Sequence, residues 1–260
     1  MTPEARFEEL LQTARADESI LGLILYGSRA TGMFVRDDSD WDVWLIVRVG
    51  AFADYEERYD SEHGDPVEIG TDTVAGLRAH AEPGTSHWWN RYAFRHAKVL
   101  VDKLDGEIGE IVDSKRTLPQ DAAPAIAAAA LDAYVNSTYR SLKAHRLGEV
   151  IGAHMDAADA ASHLLDALFA MRGRVRPWSK YLRWELESEP LGGGAAWPAD
   201  VFLDRLESLL REPSPAAEQQ LFRDVEELAR SAGHGPVLDT WGPSLSLLRG
   251  TKSGTKKGSS

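Results

Sequence analysis

Two aspartates lie at the start of a strongly apolar run in this sequence. Asp40 and Asp42 lead into residues 43–47, Val-Trp-Leu-Ile-Val, which predict a buried β-strand. Because side chains alternate between the two faces of a strand, both carboxylates point to one face, and Trp41 points to the other. Adjacent carboxylates repel each other unless a cation lies between them or one takes up a proton. Oxygen ligands of this kind suit Mg²⁺, so the pair predicts a magnesium site.

A glycine-serine turn precedes this strand. Residues 20–26 predict a strand that ends at Gly27, where the missing side chain lets a phosphate approach the backbone closely. Ser28 adds a hydroxyl donor, and the turn that begins at Arg29 presents backbone N–H groups as the start of a helix does. We therefore predict that Gly27, Ser28 and Arg29 bind the phosphates of a nucleotide.

A third acid, Glu68, lies between two apolar residues on a predicted neighbouring strand and can converge on the same site. Three carboxylates, a phosphate-binding turn and Mg²⁺ are the parts of a nucleotidyl-transfer centre. In the two-metal form of such a centre, two Mg²⁺ ions about 3.5–4 Å apart clamp the attacking and leaving oxygens. Asp72 is the alternative third acid, although its position is more typical of a helix cap. Asp37 and Asp38 are predicted to be solvated turn residues.

These residues resemble the signature of the DNA polymerase beta-like nucleotidyltransferase superfamily. The resemblance covers about residues 20–70 and consists of Gly27-Ser28, eleven intervening residues, Asp40-Trp41-Asp42-Val43 and then Val67-Glu68-Ile69. Ser39 matches the small residue that commonly precedes the first aspartate, which places it with the nucleotide-binding residues. In some superfamily members the third acid is a general base on the acceptor hydroxyl, so the resemblance leaves Glu68 as either a metal ligand or a base.

The layout is similar to that of antibiotic nucleotidyltransferases, which adenylylate aminoglycosides or lincosamides. This similarity implies ATP as the donor of AMP. It also implies a triphosphate-contacting lysine from a helical domain, for which Lys180 is the candidate and Arg183 the second choice. Both lie in a basic segment, 173–184, of an otherwise acidic protein, and the alternative is an ordinary surface lysine.

A predicted helix over residues 151–171 carries an acidic row. Asp156, Asp159, His163 and Asp166 lie at helical spacing, which places them on one face. The row is either a plain solvated face or an acidic wall that receives the amines of a cationic acceptor, with Asp156 and Asp159 as the substrate-binding residues.

The same half of the chain contains one further short pattern. Arg140 and His145 have the Arg-x4-His spacing of a class of helical ribonucleases, a pattern that arises often by chance in charged helices.

The elements around these residues predict an α+β protein with two domains. A mixed sheet and its helices form an N-terminal nucleotidyltransferase catalytic domain over residues 1–118. The composition changes near Pro119, after which residues 119–250 predict an α-helical bundle. The similarity to antibiotic nucleotidyltransferases implies that this bundle binds substrate. Residues 251–260 have no apolar anchor and predict a disordered tail. The strands are predicted over residues 20–26, 41–47, 66–69 and 98–102.

Composition limits the partners. The chain has 29 Lys and Arg against 41 Asp and Glu, a net charge of −12, and no basic stripe outside its last ten residues. Long nucleic acids need such a stripe, so the expected partners are a nucleoside triphosphate and a small acceptor, and the acidic balance favours a cationic one. The N-terminal residues lack the pattern of a signal peptide, and no apolar run approaches the roughly 20 residues of a membrane span. We therefore expect a cytoplasmic protein without a membrane partner.

Two other functions are compatible with these patterns. One is the adenylylation of a protein or of another small alcohol. The other is a catalytically inactive nucleotide sensor or antitoxin-like binding module, although a pure binder has no need of three intact acids. The absence of cysteine excludes disulfides, thiolate metal sites and a cysteine nucleophile.

Overall fold

The computed structural model describes residues 2–59 and 65–250. The chain divides into two compact units, Met1–Pro119 and Gln120–Ser260. The first combines a four-stranded mixed sheet with helices and the second is helical, so the α+β class predicted from the sequence is confirmed. The predicted disordered tail lies outside the described residues, and the roles assigned to the two domains stay predictions.

The sheet of the first unit has the strand order β3-β2-β1-β4. β1 is antiparallel to both β2 and β4, whereas β2 and β3 are parallel. Asp42 pairs with Tyr26 on one side and with Glu68 on the other, so the ends of three strands meet at this position. The strands are β1 (Ile20–Tyr26), β2 (Trp41–Val47), β3 (Val67–Thr73) and β4 (Lys98–Asp102).

β3 is longer than the sequence predicted. The pattern indicated a strand that ends at Ile69 and a helix that begins at Thr71 or Asp72. The structure continues the strand to Thr73 because residues 71–73 still pair with β2. Thr73 then caps the following helix, with its Oγ1 accepting a hydrogen bond from the Gly76 N–H at 3.1 Å.

Within residues 2–59 and 65–119, five α-helices surround the sheet, and two of them cover the face opposite the acids. The helices are α1 (Pro3–Ala16), α2 (Gly27–Thr31), α3 (Phe52–Arg58), α4 (Val74–Ala79) and α5 (Glu107–Ser114). α1 begins as its sequence predicts, with the Thr2 Oγ1 accepting from the Ala5 N–H at 3.2 Å and Pro3 in the first turn. Its apolar stripe packs on the sheet together with Tyr55 of α3, and this core contains Phe7, Leu10, Leu11, Leu23, Leu25, Val43, Leu45, Val67 and Ile69.

The second unit is built around a pair of long helices. They are α6 (Ala123–Leu147) and α7 (Val150–Ala170), which connect through a turn at Gly148, where φ is +74°. Five more helices pack on this pair: α8 (Leu182–Ser188), α9 (Ala199–Arg211), α10 (Pro215–Ser231), α11 (Gly235–Asp239) and α12 (Leu245–Arg249). α8 begins at Leu182, directly after a 3₁₀ turn over Ser179–Tyr181. Among the described residues, no helix has both the length and the apolar character that a membrane span requires.

Candidate metal centre

The three predicted acids converge at one end of the sheet. Asp42 and Glu68 are partners across the parallel pair β2-β3, and Asp40 lies two residues before Asp42, on the same face. One carboxylate oxygen from each residue lies within 4.8 Å of the other two. All three side chains are partly buried. This arrangement places three hard oxygen ligands around one point, which is the donor set that Mg²⁺ prefers.

Gly27 shapes the turn around Asp42. Its φ is +69°, a conformation that side-chain-bearing residues rarely adopt. A Cβ atom at this position would lie 2.0 Å from the Oδ2 of Asp42. The sequence suggested that this glycine admits a phosphate, and the structure adds that it leaves room for the carboxylate itself.

Ser28 follows in the first turn of α2 and is 4% exposed. Its carbonyl accepts hydrogen bonds from the Gly32 N–H at 2.9 Å and from the Thr31 hydroxyl at 3.0 Å. Within the parts of the chain that the structure describes, the Ser28 hydroxyl itself makes no hydrogen bond. It therefore remains available as the donor that the sequence predicts.

Arg29 and Ser39 hold the loop that delivers Asp40. The Arg29 Nη2 donates to the Ser39 carbonyl at 2.9 Å, and its guanidinium carbon lies 4.7 Å from the ring centre of Trp41. The Ser39 Oγ accepts from the Arg36 N–H at 2.9 Å. Both residues were predicted to bind nucleotide, and that role stays a prediction. In the structure, Arg29 and Ser39 anchor the segment between α2 and β2.

Trp41 completes this anchor. Its ring stacks on Phe7 of α1, with ring centres 3.8 Å apart and planes 16° apart. The alternation of side chains thus holds Trp41 on the apolar face while Asp40 and Asp42 face the site. Asp37 and Asp38, which precede them, are exposed, as the sequence predicts for turn residues.

Tyr26 is a site residue that the sequence analysis did not identify. Its ring stacks on Trp44 at 4.3 Å, and it is the cross-strand partner of Asp42. Burial raises the pKa of the Tyr26 hydroxyl well above its usual range, and the charges of Asp42, Glu68 and Asp40 add to the rise. The hydroxyl therefore stays protonated beside the acids. The sequence contained a signal for Tyr26, because it is the last residue of β1 and directly precedes Gly27 in the predicted phosphate-binding turn.

Asp72 lies away from this centre. It is four residues beyond Glu68 on β3, a distance of about 13 Å along a strand. Its carboxylate accepts from the Thr73 N–H at 2.7 Å beside the start of α4, and burial raises its pKa. The cluster of acids that the described residues form contains Glu68 and not Asp72.

The acidic row of α7 is divided between the core and the surface. Asp156 is 8% exposed, and its Oδ1 lies 2.7 Å from the Nη2 of Arg140 on α6. Asp159 is exposed. Asp156 points inward because it lies on the same side of α7 as the buried residues Ala153 and Ala157. The assignment of Asp156 and Asp159 to substrate binding stays a prediction, now with Arg140 as an internal partner of the first.

Lys180 is exposed in the 3₁₀ turn before α8. Its ammonium nitrogen lies 5.0 Å from the ring centre of Tyr181. The second candidate, Arg183, pairs with Glu187 one helical turn away at 3.7 Å. The contact of Lys180 with a triphosphate stays a prediction.

The Arg-x4-His residues contact two different acids of the bundle. Arg140 pairs with Asp156, whereas the His145 Nε2 lies 3.1 Å from the Oε1 of Glu218, to which Ser141 also donates at 2.9 Å. Burial raises the pKa of Glu218 to about 7, although the Ser141 hydrogen bond opposes the rise. Arg140 and His145 therefore each pair with a different acid of the bundle, and the ribonuclease interpretation stays a hypothesis from the sequence pattern.

Among solved structures, comparison with known proteins finds distant likenesses. Neither a protein-family model nor a curated protein matches this chain. Among solved structures, a nucleotidyltransferase-like protein from Exiguobacterium sibiricum 255-15, whose crystal structure was determined at 1.90 Å resolution, is similar to it. The match covers 95% of this chain and 77% of that chain, with a TM-score of 0.45 and 12% sequence identity. A likeness at this level carries no information about activity, which must come from the site itself.

Proposed function

We propose that this protein is a Mg²⁺-dependent nucleotidyltransferase. The observation that carries the proposal is the convergence of Asp40, Asp42 and Glu68 within 4.8 Å at the ends of neighbouring strands. Exposed acidic clusters are common, but these carboxylates are partly buried, and the adjoining turn at Gly27 has no room for a side chain beside Asp42. Burying carboxylates together is costly without a cation, so the arrangement supports a metal-binding role.

The donor set fits a hard divalent cation. Asp40 and Asp42 would hold two Mg²⁺ ions, with Glu68 either as a third ligand or as a base that takes the proton of the acceptor hydroxyl. When bound, the ions would lower the pKa of the acceptor hydroxyl and neutralise the charge that develops on the leaving pyrophosphate. Tyr26 keeps its proton beside these acids and can donate a hydrogen bond to a substrate oxygen.

The proposed donor is ATP. Backbone N–H groups of the Gly27-Ser28 turn and the Ser28 hydroxyl would bind its phosphates. Lys180 remains the candidate for the triphosphate-contacting lysine that the resemblance implies. The acceptor oxygen forms a bond to the α-phosphorus, the α–β phosphoanhydride bond breaks, and pyrophosphate leaves with the bonding electrons. The similarity of the layout to that of antibiotic nucleotidyltransferases supports ATP as the donor and AMP as the transferred group.

The proposed acceptor is a small cationic alcohol such as an aminoglycoside. The net charge of −12 attracts cations to the protein. Because the Asp156 carboxylate is already engaged by Arg140, Asp159 is the acid of the pair that can contact an acceptor amine directly.

A substrate panel tests this function. ATP, GTP, CTP and UTP are each incubated with aminoglycosides and lincosamides, with and without Mg²⁺, and pyrophosphate release is measured. We expect release with ATP and an aminoglycoside, only when Mg²⁺ is present, and its loss in Asp42→Asn. Release that Asp42→Asn leaves unchanged would show that the assignment of the metal site is wrong. Tight nucleotide binding without any transfer would favour a nucleotide sensor.

A further inference from the structure

The turn between α6 and α7 carries an unusual group of exposed apolar side chains. Leu147 is 75% exposed, Val150 66%, Ile151 78% and Met155 66%. They fall within nine residues of sequence, at the end of one helix and in the first two turns of the next. We refer to these four residues as the hairpin patch. Contiguous apolar patches on a protein surface are uncommon and mark interaction sites more often than chance.

Met155 lies on a long helix of the bundle but does not pack in its core. The buried positions of α7 begin instead with Ala153 and continue through Ala157 and Ala160, which places Met155 and Ile151 on a different side of the helix. These two are one helical turn apart, so they form an apolar stripe on α7, and Leu147 adds an exposed apolar side chain at the end of α6. The stripe thus presents apolar surface that the bundle does not use.

Exposed charges flank the hairpin patch with opposite signs on its two helices. Lys143 and Arg146 lie on the last turns of α6, whereas Glu149 directly precedes α7 and Asp159 lies on it, and all four are exposed. The local sum is zero, in a chain whose net charge is −12. Two copies of this acidic chain would therefore meet here without the local repulsion that other acidic surfaces would cause.

We propose that the hairpin patch is the interface of a two-fold symmetric homodimer. In such an interface the same surface meets itself, so that the basic end of α6 in one copy faces the acidic start of α7 in the other. The separation of the two signs onto two helices is compatible with this symmetry, because each basic end can then face an acidic start. The apolar side chains form the buried centre and the charges form the rim, as in other protein interfaces. This proposal does not depend on the proposed enzymatic function.

Sedimentation velocity over the micromolar concentration range tests the proposal. The wild-type chain is expected to form a concentration-dependent dimer, and Ile151→Asp with Met155→Asp is expected to raise its dissociation constant by on the order of 30-fold or more, as for loss of a binding hot spot. The matched control is Leu210→Asp on α9, where the leucine is 57% exposed and outside the patch, and it should leave the dimer unchanged. Circular dichroism confirms that each variant is folded.

A cross-linking experiment gives a second measurement that keeps the native charge. Because the chain has no cysteine, Ile151→Cys and Leu210→Cys each introduce a single thiol. A short bismaleimide reagent should give a covalent dimer with Ile151→Cys and not with Leu210→Cys. A wild-type chain that stays monomeric at all these concentrations would overturn the proposal. So would a dimer that persists unweakened in the folded double variant, or equal cross-linking of the two cysteine variants.

Discussion

At the scale of single residues, the site depends on how closely Asp42 lies against the preceding turn. The Oδ2 of Asp42 occupies the space that a side chain at position 27 would need, so Gly27 and Asp42 constrain each other. Tyr26 adds a protonated hydroxyl next to the same carboxylate. Tyr26 and Asp42 are paired across β1 and β2, and Gly27 follows Tyr26 as the first residue of α2.

Gly27→Ala should strongly reduce activity. The added Cβ would meet the Asp42 carboxylate at 2.0 Å, which moves a proposed metal ligand, and the left-handed backbone adds a strain of about 1–2 kcal/mol. We expect a fall in kcat/KM of about 100-fold or more, as for other changes that displace a catalytic group.

Gly32→Ala is the matched control for this variant. Gly32 has a similar φ of +72°, but a Cβ there would meet no atom within 4 Å. Gly32→Ala should therefore introduce a similar backbone strain but keep the activity of the wild type. Equal activity of the two variants would show that the contact between position 27 and Asp42 has no functional importance.

At the scale of elements, the segment between α2 and β2 controls where Asp40 lies. Arg29 holds the Ser39 carbonyl and lies over Trp41, which in turn stacks on α1. These contacts link a helix, a loop and a strand, and they place Asp40 beside Asp42 on the site face. Groups that orient metal ligands in this way are often as important as the ligands.

Arg29→Met should weaken metal binding. It keeps an unbranched apolar stem over Trp41 but removes the hydrogen bond to Ser39, so the Mg²⁺ requirement for activity should rise by about tenfold. Arg36→Met is the control, since that side chain is 78% exposed and pairs only with Asp38 among the described residues. If the Arg29 variant instead raises the KM for ATP at unchanged metal affinity, Arg29 contacts the nucleotide and does not act through the loop.

The elements also show what the sequence could predict. The alternation of Asp40, Trp41 and Asp42 predicted which side chains share a face, and it was sufficient because strand geometry is local. The burial of Asp156 depends on Arg140, sixteen residues earlier on another helix, and helical periodicity alone could not reveal that partner. The length of β3 likewise depends on its pairing with β2. The local sequence near Thr71 gives no information about that pairing.

At the scale of the whole molecule, the two units place carboxyl groups in different environments. The first gathers its acids at an accessible strand end, whereas the helical unit buries Glu218, which is 2% exposed, between Ser141 and His145. The pKa of Glu218 is raised from 4.5 to about 7, mainly by burial. At a pH between these two values, the Glu218 carboxyl is protonated in the folded chain and ionised in the unfolded chain.

This difference predicts the pH dependence of stability. The contribution of Glu218 is fully present below pH 4.5 and is lost as the pH rises through about 7, for a total of roughly 3 kcal/mol in the free energy of unfolding. Glu218→Gln keeps an acceptor for Ser141 without the titration. The variant should therefore gain stability relative to wild type as the pH rises from 5 to 8, as measured by urea unfolding.

Glu212→Gln, at an exposed position just before α10, is the control. Its free energy of unfolding should change with pH in the same way as that of the wild type. A Glu218→Gln variant whose stability difference from wild type does not change with pH would show that the burial of this carboxyl has no energetic consequence.

The most direct test of the metal centre is the binding of Mn²⁺, measured by electron paramagnetic resonance in the presence of a non-hydrolysable ATP analogue. This measurement does not require the acceptor to be known. We predict that wild type and Asp37→Asn, a change at an exposed neighbour, bind Mn²⁺ equally well. Asp42→Asn should bind it on the order of 100-fold more weakly, because one charged ligand of a three-acid site is lost. Equal Mn²⁺ binding by wild type and Asp42→Asn would contradict the assignment of Asp40, Asp42 and Glu68 as the metal centre.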